Sequence, residues 1–186
     1  MNLTTLARVK ALAEQAGPAN DAWFNLAIAG KSLAIEREID RFVEKKSYTE
    51  KFDPDGTTRR FWLQGPPVTA ITEVRNGGTV YAATGYRLGP EADMVEFLVA
   101  PVKDFDGLLE IDYAGGLAVD ADELVGGDYA DLAFACELEV LSLWQRRKQL
   151  AEQVSESVGG STFSVTKSMP LLPETKAMLE RFRLGA

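Results

Sequence analysis

The sequence predicts an α+β fold: a helical bundle with an inserted small antiparallel β region and an extended C-terminal arm that ends in a short helix. Three observations lead to this prediction. Apolar residues recur with helical spacing near both ends, they alternate with a period of two between these regions, and Ser, Thr and Gly become frequent near the C-terminus. We therefore divide the chain into two N-terminal helices (1–47), the β region (48–116), an acidic loop with a long core helix (117–153), and the arm with its short helix (154–186).

The first segment contains two helix signals. Thr4 or Thr5 is a suitable N-cap, and Gly17-Pro18 ends the first helix. A longer helix follows, over about residues 20 to 44, with Asn20 or Asp21 at its start. Its apolar residues cover two faces, so we expect it to be covered from more than one side. One face has Phe24, Ile28, Ile35, Ile39 and Phe42, and the other has Trp23, Leu26 and Leu33.

The middle segment reads as several short strands separated by turn residues. We expect a hairpin in which Asp55-Gly56 joins Tyr48–Phe52 to Arg60–Leu63, because Asp-Gly is a strong hairpin signal. A second turn is expected at Asn76-Gly77-Gly78, after a strand that begins at Val68. Together these strands predict an antiparallel sheet or sandwich. The remaining strand candidates are Val80-Tyr81, Tyr86–Leu88, Met94–Val99 and Leu108–Tyr113.

The second helical segment follows Gly115-Gly116. We expect an acidic loop over residues 117–127 and then a long helix from about Asp128 to Gln153. This helix again has more apolar surface than one contact would bury. Its main face has Tyr129, Ala133, Cys136, Val140, Leu143 and Trp144, and Phe134, Leu138 and Leu141 lie off that face.

The C-terminal segment predicts an arm. Residues 154–168 are rich in Ser, Thr and Gly, which is typical of an extended connection. A short amphipathic helix is expected over about residues 174 to 184, and about eleven residues are too few for a helix that is stable alone. We therefore expect the helix to dock either on a neighbouring molecule or back on its own domain.

Composition and charge restrict the possible functions. The 186 residues contain no histidine and one cysteine, Cys136, so a Ser-His or Cys-His nucleophile and an internal disulfide are excluded. The net charge is −8, and residues 51–123 contain 13 acidic and six basic side chains, which argues against a protein that grips nucleic acid. No apolar run is long enough for a membrane span or a secretory signal. We expect no cofactor, no metal, no catalytic residue and no membrane partner.

The order of these segments resembles the head–tail connector (adaptor, or head completion) proteins of long-tailed bacteriophages. Four stretches carry the resemblance: LTTLARVKALA at Leu3–Ala13, the stretch Ile35–Val74, LEIDYAGGL at Leu109–Leu117, and the tail Ser155–Arg183. Because each is mostly apolar pattern and turn residues, their order along nearly the whole chain matters more than any one of them.

The resemblance implies a structural virion protein of the phage neck. It would form a ring of about twelve copies between the portal protein and the stopper or tail-completion protein, with a central passage for DNA that is not specifically bound. Assembly would take place in the host cytoplasm.

Two sets of residues are the candidate binding sites. We expect the arm to grip the portal or a neighbouring subunit through its apolar side chains. The second set consists of candidates for the ring interface, although a helix packed on both sides within one subunit would show the same pattern. The arm residues are Phe163, Val165, Met169, Leu171, Leu172, Met178, Leu179 and Phe182. The ring residues are Trp23, Leu26, Leu33, Phe134, Leu138 and Leu141.

Two other functions remain open from the residues alone. One is a small intracellular binding or regulatory module that acts as a dimer. The other is an enzyme with an unrecognised carboxylate site, although the acidic residues contain no selected pair.

Overall fold

The computed structural model describes residues 1–102, 108–156 and 170–183, with side chains described up to residue 149 in the second range. The chain forms two compact units. The helical unit consists of Met1–Ile39 and Asp120–Ala186, and the β unit consists of Asp40–Val119.

The helical unit contains five described α-helices. Short 3-10 turns precede α2 and follow α5, at Pro18–Asn20 and Glu180–Phe182. The helices are α1 (Leu6–Leu12), α2 (Asp21–Ile39), α3 (Ala121–Gly126), α4 (Ala130–Glu156) and α5 (Pro173–Leu179).

Local chemistry explains where these helices begin and end. Thr5 caps α1 by accepting a hydrogen bond from the Arg8 N–H, as one of the two expected caps would do. Helix α2 ends at Ile39, five residues before the predicted end, because Asp40 adopts a left-handed conformation with φ of 52°. The predicted acidic loop is partly helical, since Asp120 caps α3 by accepting from the Glu123 N–H.

The centre of the helical unit is the antiparallel pair α2 and α4. Trp23 near the start of α2 lies against Trp144 of α4, whereas Ser32 lies against Cys136. Helices α1 and α5 pack on both members of this pair, and α3 packs on α4. Buried apolar residues of the unit include Leu3, Val9, Phe24, Ile28, Ile35, Ile39, Leu124, Leu132, Val140 and Leu179.

The β unit contains seven described strands in two antiparallel sheets. The four-stranded sheet has the order β1-β7-β3-β4, and the three-stranded sheet has the order β2-β6-β5. The strands are β1 (Lys46–Phe52), β2 (Arg60–Trp62), β3 (Val68–Asn76), β4 (Thr79–Val80), β5 (Tyr86–Leu88), β6 (Met94–Phe97) and β7 (Leu109–Gly115).

The first predicted hairpin is wrong. Strand β1 pairs with β7 along its whole length, and β2 pairs with β6 in the other sheet, so Asp55-Gly56 lies in a connection between sheets. Asp55 organises this connection, because its carboxylate accepts hydrogen bonds from the N–H groups of Thr57 and Thr58 and from the Thr58 hydroxyl. The second predicted turn is correct, since Gly77-Gly78 joins the paired strands β3 and β4.

Phe42 occupies a position that the helical pattern did not anticipate. It follows α2 instead of lying on it, and its ring stacks on Tyr48 of β1 at a centroid distance of 4.6 Å. The chain then closes on the end of β7, where Gly116 has a φ of +114° and a Cβ would lie 2.2 Å from the Glu44 carbonyl oxygen. Only glycine fits this approach without strain.

The core of the β unit is aromatic and aliphatic. Phe97 lies at its centre and makes edge or tilted ring contacts with Phe61, Tyr81 and Tyr86 at centroid distances of 5.5–6.0 Å. Alternation along β7 places Leu109, Ile111 and Tyr113 in this core and turns the intervening residues outward. Among the described residues, no helix of either unit is long and apolar enough to cross a membrane.

Candidate functional site

A buried ionic framework holds the helices that carry the candidate surfaces. The Lys31 ammonium of α2 lies 2.8 Å from the Glu139 carboxylate of α4, and both side chains are almost fully buried. The other Glu139 oxygen accepts the Leu172 N–H at 2.6 Å, just before α5. Two residues earlier on α4, Glu137 accepts hydrogen bonds from the side chains of Thr4 and Arg8. These charges therefore fix both terminal segments on the α2–α4 pair.

The outer face of α2 is apolar and exposed. Leu26 is 76% exposed and Leu33 is 47% exposed, and they lie seven residues apart on one side of the helix. The residues between them on this side are small, and an added Cβ at Gly30 would meet nothing within 4 Å. We call this surface the α2 stripe: Ala22, Leu26, Ala29, Gly30 and Leu33.

The outer face of α4 carries a second apolar surface. Phe134 is 46% exposed, and Leu138 and Leu141 are half-buried. Their spacing of four and three residues places them on one side of the helix. We call Phe134, Leu138 and Leu141 the α4 stripe. The two stripes contain five of the six ring candidates inferred from the sequence.

Trp23, the sixth ring candidate, takes part in packing within its own unit. Its ring lies 5.4 Å from Trp144 and 5.1 Å from Phe24. The Arg147 guanidinium lies over both indoles, at 5.2 and 5.5 Å. Periodicity alone grouped Trp23 with Leu26 and Leu33, but a large ring reaches sideways to a neighbouring helix where leucine does not.

The described part of the C-terminal segment packs on its own unit. Leu171, Leu179 and Phe182 are buried, with α5 packed on α2 and α4, and Leu172 and Met178 are half-buried. The short helix therefore docks back on its own domain, one of the two arrangements expected from the sequence, and needs no neighbour to cover it. Phe163, Val165 and Met169 lie outside the described residues. A portal-binding or neighbour-binding role for the arm stays a prediction.

The β unit presents an apolar end that the sequence analysis did not single out. Val102 accepts a hydrogen bond at its carbonyl oxygen from the Asn76 side chain at 2.8 Å, and Asn76 pairs with Leu109 in the four-stranded sheet. Val80, Val102 and Leu108 next to this point are exposed, and Val99, three residues before Val102, is 74% exposed. We call these four residues the β-end patch. In the sequence, the consecutive apolar residues Leu98–Ala100, which follow the alternating strand β6, could have indicated this exposed apolar surface.

No catalytic or metal site emerges from the described residues. Among them, no group of three or more Cys, Asp or Glu side chains is arranged to hold a metal ion. Glu110 and Asp112, which stand among the acidic residues of the middle segment, form ion pairs with Lys51 and Arg75 on the outer face of the four-stranded sheet. Cys136 is buried, and burial raises the pKa of its thiol to about 12, so the thiolate is scarce near neutral pH.

Comparison with known proteins identifies the family. The model of the head completion protein family matches residues 2–184. The chain belongs to the head completion protein family. The resemblance to head–tail connector proteins predicted from the sequence is therefore confirmed, and with it the α+β fold class. No match is found among curated proteins.

Solved structures of gene transfer agent (GTA) particles contain chains with the same fold. A chain in the neck of an empty GTA particle, computed with C6 symmetry, is 21% identical with a TM-score of 0.66. A chain in the neck of the native particle, computed with C12 symmetry, is 22% identical with a TM-score of 0.59. A chain of the native GTA virion is 22% identical with a TM-score of 0.64. Each alignment covers 99% of this chain and 92–93% of the other.

Proposed function

We propose that this chain is a structural head–tail connector subunit in the neck of a tailed phage or phage-like particle. The observation that carries the proposal is the family match over residues 2–184, nearly the whole chain. The role is architectural: the subunit joins head to tail and leaves a central passage for DNA. No reaction is assigned to it, which agrees with the absence of histidine.

A ring is the assembly that this function requires, and the helical unit is suited to one. A ring subunit needs two different surfaces, one for each neighbour, because the contacts are head to tail. The α2 stripe and the α4 stripe are two such surfaces, on different helices of one unit. The C6 and C12 symmetries of the GTA necks support a ring of copies here.

The partners on either side of the ring are the portal protein and the stopper or tail-completion protein. For the portal we propose the arm, with Phe163, Val165 and Met169 as its apolar anchors. For the component on the tail side we propose the β-end patch, since exposed apolar patches on soluble proteins mark interaction sites. The net charge of −8 suits a passage through which DNA slides without being held.

Particles made without this chain provide the test. We expect them to stop at DNA-filled heads that lack tails, and purified protein added afterwards to restore tail joining and infectivity or gene transfer. Cryo-EM of the restored particles should show a ring of this chain at the portal vertex. Normal tail attachment without the chain, or its absence from purified particles, would contradict the proposal.

Two variants separate the partners. Replacing Phe163 and Val165 by Ser should abolish retention on portal-bearing heads. Replacing Val99 and Val102 by Ser should leave the ring on heads but prevent tail joining. The control is Leu12→Ser, which changes a leucine of α1 that is 50% exposed and lies outside every candidate surface. If both double variants behave like this control, the assignment of partners to the arm and the β-end patch is wrong.

A further inference from the structure

The two stripes face away from each other across the α2–α4 pair. On α4, the side chains that touch α2 include Cys136, Glu139 and Trp144. With about 3.6 residues per turn, Leu138 and Leu141 lie on the opposite side of that helix. On α2, Phe24, Lys31 and Ser32 turn toward α4, and the α2 stripe again lies opposite them. One unit therefore presents a different apolar surface on each of two opposite sides.

The stripes also lie at the same level along the helices. The antiparallel contacts of Trp23 with Trp144 and of Ser32 with Cys136 fix the register within the unit. Counting along both helices from these contacts places Leu33 level with Phe134 and Leu26 level with Leu141. When copies are related by rotation about an axis parallel to the helices, each residue keeps its height along that axis. Such a rotation can therefore bring the α2 stripe of one copy onto the α4 stripe of the next.

The shapes of the stripes are complementary. The α2 stripe has a large residue at each end, Leu26 and Leu33, with Ala29 and Gly30 between them. The α4 stripe has three large residues, and its middle one, Leu138, is level with Ala29. The open space above Gly30 provides room for side chains of a facing helix.

The flanking charges favour the same antiparallel pairing. Arg37 is exposed one turn beyond Leu33, at the C-terminal end of the α2 stripe. The start of α4 is at the corresponding level next to Phe134, with the exposed Asp128 just before the helix and Asp131, which also pairs with Arg181 of its own copy, in its first turn. An antiparallel contact between copies thus brings a cation of one copy to the acidic side chains at the start of α4 of the next copy.

From these observations we infer that the α2 stripe of each copy binds the α4 stripe of the next copy, antiparallel, with Leu33 beside Phe134, Ala29 beside Leu138 and Leu26 beside Leu141. The inference rests on the proposed ring and specifies its contact. Because the two surfaces differ, the contact is heterologous, so repetition leads around a ring and does not stop at a dimer.

Cross-linking in assembled particles tests this pairing directly. In a Leu26→Cys/Leu141→Cys variant, a short bismaleimide should join neighbouring copies and produce a ladder of covalent multimers beyond the dimer. The variants with a single new cysteine should give no ladder. Cys136 can stay, because a buried thiol with a raised pKa does not compete for the reagent.

The outcomes distinguish failure of the pairing from failure of the proposed function. Normal incorporation of the double variant without a ladder would overturn the pairing and leave the connector role intact. Dimers from Leu26→Cys alone would show that like stripes pair, and a cross-link confined to the monomer would show that the chain covers its own stripe; both overturn the inference. Absence of the wild-type chain from particles would contradict the proposed function itself.

A second set of variants tests the space at Gly30. Gly30→Arg should fill it and abolish ring formation, whereas Gly30→Ala should assemble as the wild type does. Phe134→Arg should abolish rings from the other side. An equal mixture of Gly30→Arg and Phe134→Arg keeps one intact contact, so it should form a discrete pair detected by native mass spectrometry, while each variant alone stays monomeric. Self-association of either variant alone, or no pair in the mixture, would overturn the inference; circular dichroism checks that each variant is folded.

Discussion

The helical unit and the β unit distribute charge and apolar surface in opposite ways. The helical unit buries the Lys31–Glu139 pair and the Glu137 carboxylate, yet leaves Leu26 and Phe134 exposed. The β unit buries an aromatic and aliphatic core and keeps its ion pairs, such as those of Glu96 with Arg60 and Arg87, on the surface. The β-end patch departs from this ordinary arrangement.

This difference reflects two tasks, binding to neighbouring copies and stabilising the fold. A unit that binds neighbours exposes apolar residues on its outer faces, so ionic contacts in its interior help to determine which helices pack together. In the helical unit Glu139 does this for α2 and for the segment before α5. Buried ion pairs add little net stability compared with apolar packing, but breaking one leaves an uncompensated charge. The β unit, by contrast, derives its stability from the conventional burial of apolar surface.

The largest effect is expected when the buried pair of the helical unit is broken. Glu139→Ala leaves the Lys31 ammonium buried without its partner and removes the acceptor of the Leu172 N–H, so the free energy of unfolding should fall by about 3–5 kcal/mol. Urea unfolding followed by tryptophan fluorescence measures this in a Trp62→Phe background, where Trp23 and Trp144 report on the helical unit.

The matched control for that measurement is Glu139→Gln combined with Lys31→Met. It keeps an acceptor for the Leu172 N–H and removes both charges, so most of the stability should return. A Glu139→Ala protein that unfolds like the wild type would show that the ionic framework does not hold the helices.

A smaller effect is expected from the buried contact of the Tyr113 hydroxyl in the β unit. The Tyr113 hydroxyl donates to Glu50 and accepts the Gly65 N–H at 2.9 Å. Tyr113→Phe removes both hydrogen bonds with little change of shape, so the loss should be about 1–3 kcal/mol. Hydrogen exchange should show lower protection for amides of β1 and β7 and unchanged protection in α2 and α4. Equal losses in both units would contradict their separate stabilisation.

The smallest effect is a pH dependence confined to the β unit. Burial raises the pKa of the Glu50 carboxyl above its ordinary value of 4.5, although the hydrogen bonds from Tyr113 and the Gln64 N–H act in the opposite direction. The folded state thus holds this proton more tightly than the unfolded state does. The resulting stability is present below pH 4.5 and is lost as the pH rises through the raised pKa.

Glu50→Gln should remove that contribution. The difference in unfolding midpoint between wild type and variant should change across this pH window and stay constant above it. A difference that is constant at every pH, or that changes in the opposite direction, would show that the pKa of Glu50 is not raised.

Much of the fold was predictable from local sequence signals. Thr5 acts as a helix cap, Gly77-Gly78 forms a hairpin turn, and alternation along Leu109–Tyr113 identifies a strand with one buried face. The apolar pattern of α2 and α4 also indicated more surface than one contact would bury, and it singled out the leucines of both stripes. These signals lie within a few residues of the structure they specify, which is why they can be read directly.

Strand pairing and side-chain partners were not predictable in the same way. The Asp55-Gly56 turn indicates a hairpin, but β1 gains seven paired residues with β7, about sixty positions away, and that longer pairing decides the topology. From the sequence alone, Lys31 would be placed on the solvent-exposed side of its helix. In the structure it is buried and pairs with Glu139, which lies 108 residues further along the chain.

By itself the sequence determined most of the element types, many of their boundaries, the exclusion of histidine chemistry and the resemblance to head–tail connectors, because each depends on residue type and short-range spacing. Only the tertiary structure decided that Trp23 and α5 pack within their own unit, that Phe134 and Leu26 remain uncovered, and that the two stripes lie level on opposite sides. The physical reason is that an apolar side chain is buried only when another surface covers it. Removal from water is favourable for every apolar side chain, and only the three-dimensional arrangement determines which of them are covered and by what.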